Sequence, residues 1–89
     1  MVRLPGSLRE TVGGAGKIEA AGATLGEVIA DVDARFPGFA GRVLDDRGRL
    51  RTYVSVFIGD QDARSIGGTA ASVPDGAEVM LVPAMAGGR

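Results

Sequence analysis

Residues 24–38 read TLGEVIADVDARFPG, and this stretch decides the fold. Thr24 followed three residues later by Glu27 is a capping box, in which the Thr hydroxyl satisfies one exposed helix amide and the Glu carboxylate reaches back to another. From there Leu25, Val28, Ile29, Val32 and Phe36 recur at helical spacing, while Glu27, Asp31 and Arg35 fall away from the apolar stripe. Pro37 and Gly38 end the pattern. The chain thus predicts one amphipathic helix with an apolar side that something else must cover.

Two strands supply the cover. Residues 50–58, LRTYVSVFI, predict a strand with Val54, Val56 and Ile58 on one face and Tyr53, Ser55 and Phe57 on the other. The all-aliphatic row belongs against the helix, where each fully buried member contributes roughly 1.5 to 3 kcal/mol. A second strand over 78–83 sets Val79 and Leu81 against the same helix and turns Met80 and Val82 away. Tyr53, Phe57, Met80 and Val82 are then expected to form an exposed apolar patch for docking a partner.

Towards the amino end, residues 1–4 predict a short extended segment stopped by Pro5 and Gly6. Gly13, Gly14 and Gly16 form a turn before a strand over 17–21, making a first hairpin. Residues 39–44 predict a short irregular helical turn. Residues 45–48, 59–62 and 75–76 predict turns, and residues 66–73 a loop or short edge segment. Adjacent Asp45 and Asp46 are ordinary turn chemistry rather than a metal site, and Gly67 with Gly68 gives backbone freedom in a loop. The order strand, strand, helix, strand, strand is α+β: a mixed sheet of four to five strands around one main helix. One domain over 1–83 is followed by a tail over 84–89.

Composition limits the chemistry. A chain of 89 residues has room for one domain that buries about 60 to 65% of its unfolded surface. It has no Cys and no His, which removes disulfides, thiolate and imidazole metal sites, Ser-His and Cys-His catalysis, and the usual general base near neutral pH. The net charge of −1 comes from scattered charges, so neither nucleic acid nor an anionic membrane is an expected partner. Without an apolar run of signal-peptide length, a soluble cytoplasmic protein is expected. No phosphate-binding loop surrounds Lys17, the single lysine, and no dinucleotide fingerprint or nucleophile elbow occurs.

The chain ends Pro83-Ala84-Met85-Ala86-Gly87-Gly88-Arg89. A Gly pair near a terminus is weak evidence by itself, because small-residue ends usually fray. It gains weight from Thr24-Leu25-Gly26 at the helix start, the row 54–58 before an acidic turn, and Asp75-Gly76 before the last strand. With these stretches, nearly the whole chain resembles the ThiS/MoaD family of ubiquitin-like, beta-grasp sulfur carriers, and within it the carriers that serve cysteine biosynthesis.

The resemblance implies a carrier rather than an enzyme, with no cofactor bound by the chain itself. In that family the terminal glycine carboxylate, here that of Gly88, attacks the α-phosphate of ATP inside a ubiquitin-activating-type adenylyltransferase of the ThiF/MoeB kind. A sulfur donor displaces AMP, and the thiocarboxylate passes its sulfur to a biosynthetic acceptor enzyme. Physical reasoning supports glycine there, since a tail threading a narrow channel needs a thin backbone with free torsions. Ala86 and Gly87 are expected to contact the partner and to give reach.

Two features depart from the family pattern. The first strand is shorter than usual, and Arg89 follows Gly88, so Gly88 has no free carboxylate while that bond stands. Either a peptidase, expected to be a metallopeptidase, trims Arg89, or Arg89 is foreign to the natural chain. Three alternatives stand beside the carrier reading: the small subunit of molybdopterin synthase, a ubiquitin-like modifier of protein lysines, and a beta-grasp interaction module without sulfur chemistry.

Overall fold

A computed structural model describes residues 1–83, and Ala84 to Arg89 lie outside the described residues. The main helix, α2, spans Leu25–Arg35, and its start is built as the capping box requires. Glu27 N donates to Thr24 Oγ1 at 3.3 Å. The Glu27 carboxylate accepts from Ala23 N at 2.9 Å, so the box closes one residue ahead of the cap. Residues 71–73 strap the same end, with Leu25 N donating to the Ala71 carbonyl and Val73 N to that of Ala23. Past the helix, Gly38 takes φ +102°, a left-handed conformation that a β-carbon would strain. The chain turns there into the short helix α3, Phe39–Val43, and Asp33 Oδ1 accepts from the amides of Gly38 and Ala40.

The sheet contains β1 (Val2–Arg3), β2 (Lys17–Ile18), β3 (Val54–Ile58), β4 (Gln61–Asp62) and β5 (Val79–Pro83). Their order is β2-β1-β5-β3-β4. The pair β1 and β5 is parallel, and the other neighbours are antiparallel. A mixed five-stranded sheet grasping one helix is the beta-grasp fold. The last strand occupies the middle of the sheet. Both outer strands have two residues and offer little free edge to another chain.

Burial follows the sequence periodicity. Leu25, Val28, Ile29 and Val32 meet Val54, Val56, Ile58, Val79 and Leu81 in one cluster, every one of them buried. Val2, Leu4, Leu8 and Val12 close it from the amino end, and Phe39 and Val43 from α3.

Several boundaries differ from the sequence reading. The strand expected over 50–58 begins only at Val54. Leu50 bridges to Leu44, then the chain turns, with Val54 N donating to the Arg51 carbonyl at 3.1 Å. The Arg64 guanidinium takes the carbonyls of Arg51 and Val54, which fixes the turn from a distant point in sequence. Residues 59–62 are a turn but also carry β4, paired as Phe57 with Asp62 and Ile58 with Gln61. The strand expected over 17–21 stops at Ile18. Residues 66–73 contain a 3-10 turn, Gly68–Ala70, in place of an edge strand, followed by a bridge between Ser72 and Thr24. The β1–β2 connection contains a helical turn, α1 (Gly6–Arg9), and a 3-10 turn, Glu10–Val12.

Candidate functional site: the open sheet face and the base of the tail

Pairing of β3 with β5 sets Phe57 opposite Met80 and Ser55 opposite Val82, on the face turned away from α2. The same row continues through both edges. Arg3 pairs with Met80, Lys17 with Arg3, and Asp62 with Phe57. Cations therefore line one side of the apolar centre and a carboxylate the other. Met80 is 40% exposed, Phe57 and Val82 are half-buried, and Arg3 pairs with Glu78. Three of the four side chains expected in the patch share this face.

Tyr53 does not join them. Alternation predicts it in the strand row, but Tyr53 lies in the turn before β3 and is 55% exposed. The Arg51 guanidinium carbon sits 5.9 Å from its ring centroid, within cation–π range. Tyr53 also borders a cleft of about 190 Å³ lined by Pro5, Ser7, Leu8, Arg42, Val54 and Pro83. This cleft opens at the end of β5, where Pro83 pairs with Val54. Sequence reasoning missed Leu8 and Arg42, because a four-residue helical turn shows no periodicity and a lone surface arginine carries no local signal.

Ala86, Gly87, Gly88 and Arg89, expected to carry the chemistry and its processing, lie outside the described residues. What the fold positions is the strand that leads to them, central in the sheet, walled by the helix on one face and, among the described residues, open on the other.

Asp45 sits in a turn as its neighbours required. Its Oδ1 accepts from the amides of Arg47 and Arg49. The Arg49 amide is the chief cause that holds its carboxyl below the ordinary range; desolvation, second in size, opposes it, and the Arg47 amide and the charges of Arg49 and Arg51 reinforce it. Among the described residues, no group of three or more Asp, Glu, His or Cys could hold a metal ion, and no helix is long and apolar enough to cross a membrane. Gly67 and Gly68 both take positive φ, the loop freedom expected of them.

Comparison with known proteins extends these observations. Residues 2–88 match the ThiS family. Sulfur carrier protein CysO of Mycobacterium tuberculosis is 39% identical over 89 residues, covering 98% of this chain and 96% of that protein. The crystal structure of the Amycolatopsis orientalis BexX/CysO complex contains a chain that superposes with a TM-score of 0.91 at 39% identity, covering 98% and 97% of the two chains. Small archaeal modifier protein 3 of Haloferax volcanii is 33% identical over 66 residues, 74% of this chain and 71% of that protein.

Proposed function

This chain belongs to the ThiS family, and on that premise we propose that it is a sulfur carrier of the CysO kind, not itself an enzyme, whose working group is the carboxylate of Gly88. The observation that carries the reading is the family match, which runs through the Gly87-Gly88 pair.

In the proposed sequence, a peptidase first hydrolyses the Gly88–Arg89 bond and frees the Gly88 carboxylate. Inside a ThiF/MoeB-like adenylyltransferase that carboxylate attacks the α-phosphate of ATP. Pyrophosphate leaves, and an acyl adenylate remains. A sulfide donor then attacks the acyl carbon and AMP departs with the bonding electrons, leaving a thiocarboxylate. Its sulfur is a better nucleophile than the oxygen it replaced, and it passes to an acceptor in a biosynthetic enzyme, that of cysteine or of a specialised sulfur metabolite. ATP enters with the partner, not with this chain.

Phe57, Met80 and Val82 are the part of the sheet suited to seat that partner, because apolar groups left on an open face gain most from being covered by another protein. Gly87 supplies reach and Ala86 leads into it. The likeness to a small archaeal modifier protein favours one second reading, conjugation of Gly88 to protein lysines, for which isopeptide-linked adducts in cells would be the mark.

The test compares the chain ending at Arg89 with the chain ending at Gly88. Each is incubated with ATP, the adenylyltransferase and a sulfide source, then weighed intact. A geometry error of about 1 Å can cost on the order of a hundredfold in rate, and one residue spans about 3.5 Å. Only the form ending at Gly88 is expected to exchange oxygen for sulfur. Equal thiocarboxylation of the intact chain would overturn the role given to Arg89, and no sulfur on either form would overturn the carrier reading.

A further inference from the structure

Gly88 is the fifth residue after Pro83, and a fully extended chain covers that stretch in at most about 17 Å. On the carrier reading, from which this inference proceeds, the Gly88 carboxylate must meet a nucleotide enclosed within another protein. The mouth of that enclosure therefore presses on the residues around Pro83, which belong to the interface by reach alone.

Two depressions that share Pro5 mark this end of the sheet. The cleft at Pro83 is bordered by Tyr53, Leu8 and Arg42, and a groove farther back along β5, at Met80 and Leu81, includes Arg3, Arg9 and Lys17. Neither depression is lined by an acidic residue, although the chain as a whole carries a net charge of −1. Arg3 is partly neutralised by Glu78, and Arg9 is committed to the Leu4 carbonyl. Arg42 and Lys17 are exposed and form no ion pair among the described residues.

We infer that the base of the tail is a cationic docking ring with an apolar notch, built to meet an acidic channel mouth on the activating enzyme. One apolar side chain of that enzyme enters the notch between Tyr53 and Leu8, with a carboxylate beside it facing Arg42, and a second carboxylate faces Lys17. Charges at the rim of an interface act mainly on encounter and orientation. This ring thus aims the tail at the channel before the sheet face is seated. Its contribution weakens as salt screens it, since the Debye length falls from about 10 Å at 0.1 M to about 3 Å at 1 M.

The experiment measures ATP–pyrophosphate exchange by the source organism's ThiF/MoeB-like adenylyltransferase, with the chain ending at Gly88 as substrate, at low and high ionic strength. The double variant Arg42→Glu/Lys17→Glu is expected to raise KM by about tenfold or more at low salt, with kcat within about twofold. The KM of the unmodified chain should rise with salt, and that of the double variant should change little. An unchanged KM in the folded double variant, or a salt-independent KM for the unmodified chain, would overturn the ring. Should the charge reversals unfold the chain by circular dichroism, Arg42→Gln/Lys17→Gln is expected to shift KM in the same direction by less. No exchange with the unmodified chain would instead sink the carrier reading itself, an outcome distinct from loss of the ring.

Discussion

Val56 and Phe57 are neighbours in β3, as Leu81 and Met80 are in β5, yet each pair divides between two environments. Val56 is fully buried and Leu81 is 3% exposed against α2, while Met80 is 40% exposed on the opposite face. Both faces are apolar at their centre. The difference lies in what covers them: α2 and α3 close one face, and among the described residues no element of comparable size closes the other. On the proposed carrier reading, two apolar faces on one sheet in so small a domain use hydrophobicity once for stability and once for recognition. The two uses separate cleanly by alternation along the strand.

The largest expected effect tests that separation directly. Leu81→Ala removes buried methyl groups from a packed site and is expected to cost about 2 to 5 kcal/mol, a large share of what a small domain has. Met80→Ala, one residue earlier, is expected to cost below about 1 kcal/mol. Urea denaturation of both variants gives the comparison, and equal losses would erase the distinction between the faces.

Phe57→Asp probes the other half. Its stability change is expected to stay near 1 kcal/mol, the span of strand preferences at partly exposed positions. Loss of the apolar centre should raise KM for adenylation by about tenfold, equivalent to about 1.4 kcal/mol of binding. An adenylation rate indistinguishable from that of the unmodified chain at subsaturating concentration would remove Phe57 from the docking surface.

These faces were legible in the sequence because period-two and period-3.6 patterns are local. Val54, Val56 and Ile58, and the cap of Thr24 with Glu27, needed no knowledge of the rest of the chain. The start of β3 was not legible, because it is set by Arg64 reaching back to the carbonyls of Arg51 and Val54, a contact across ten or more residues. Tyr53 falls in the turn that these two bonds hold, out of the strand row and beside the cleft at Pro83. β4 was hidden because its two residues follow directly on the turn residues Gly59 and Asp60, and α1 because four residues cannot display a helical stripe. The chemistry proposed at Gly88 rests on the tail's composition and on the family resemblance, and no feature of the folded domain would have supplied it.

The smallest expected effect comes from a charge that belongs to neither face. Asp45 anchors the turn leading towards β3 by accepting from the amides of Arg47 and Arg49, and its carboxyl is held below the ordinary value of 3.8. A carboxylate with a lowered folded pKa binds fewer protons than its unfolded counterpart between the two values, so stability rises with pH across that window. The contribution is complete above the ordinary value and is lost as pH falls through the folded one. Asp45→Asn keeps an acceptor oxygen but abolishes the charge. The variant should melt slightly below the unmodified chain near neutral pH, and the gap should close once the medium is acid enough to protonate Asp45 in the folded state. Paired thermal melts across the acid range measure it. A gap that persisted or widened on acidification would assign the loss to altered turn geometry instead of charge. Because Asp45 lies in no strand and lines neither the cleft nor the groove, KM for adenylation is expected to be the same for both proteins, so that a change in KM would mean the turn before β3 governs how the open face is presented.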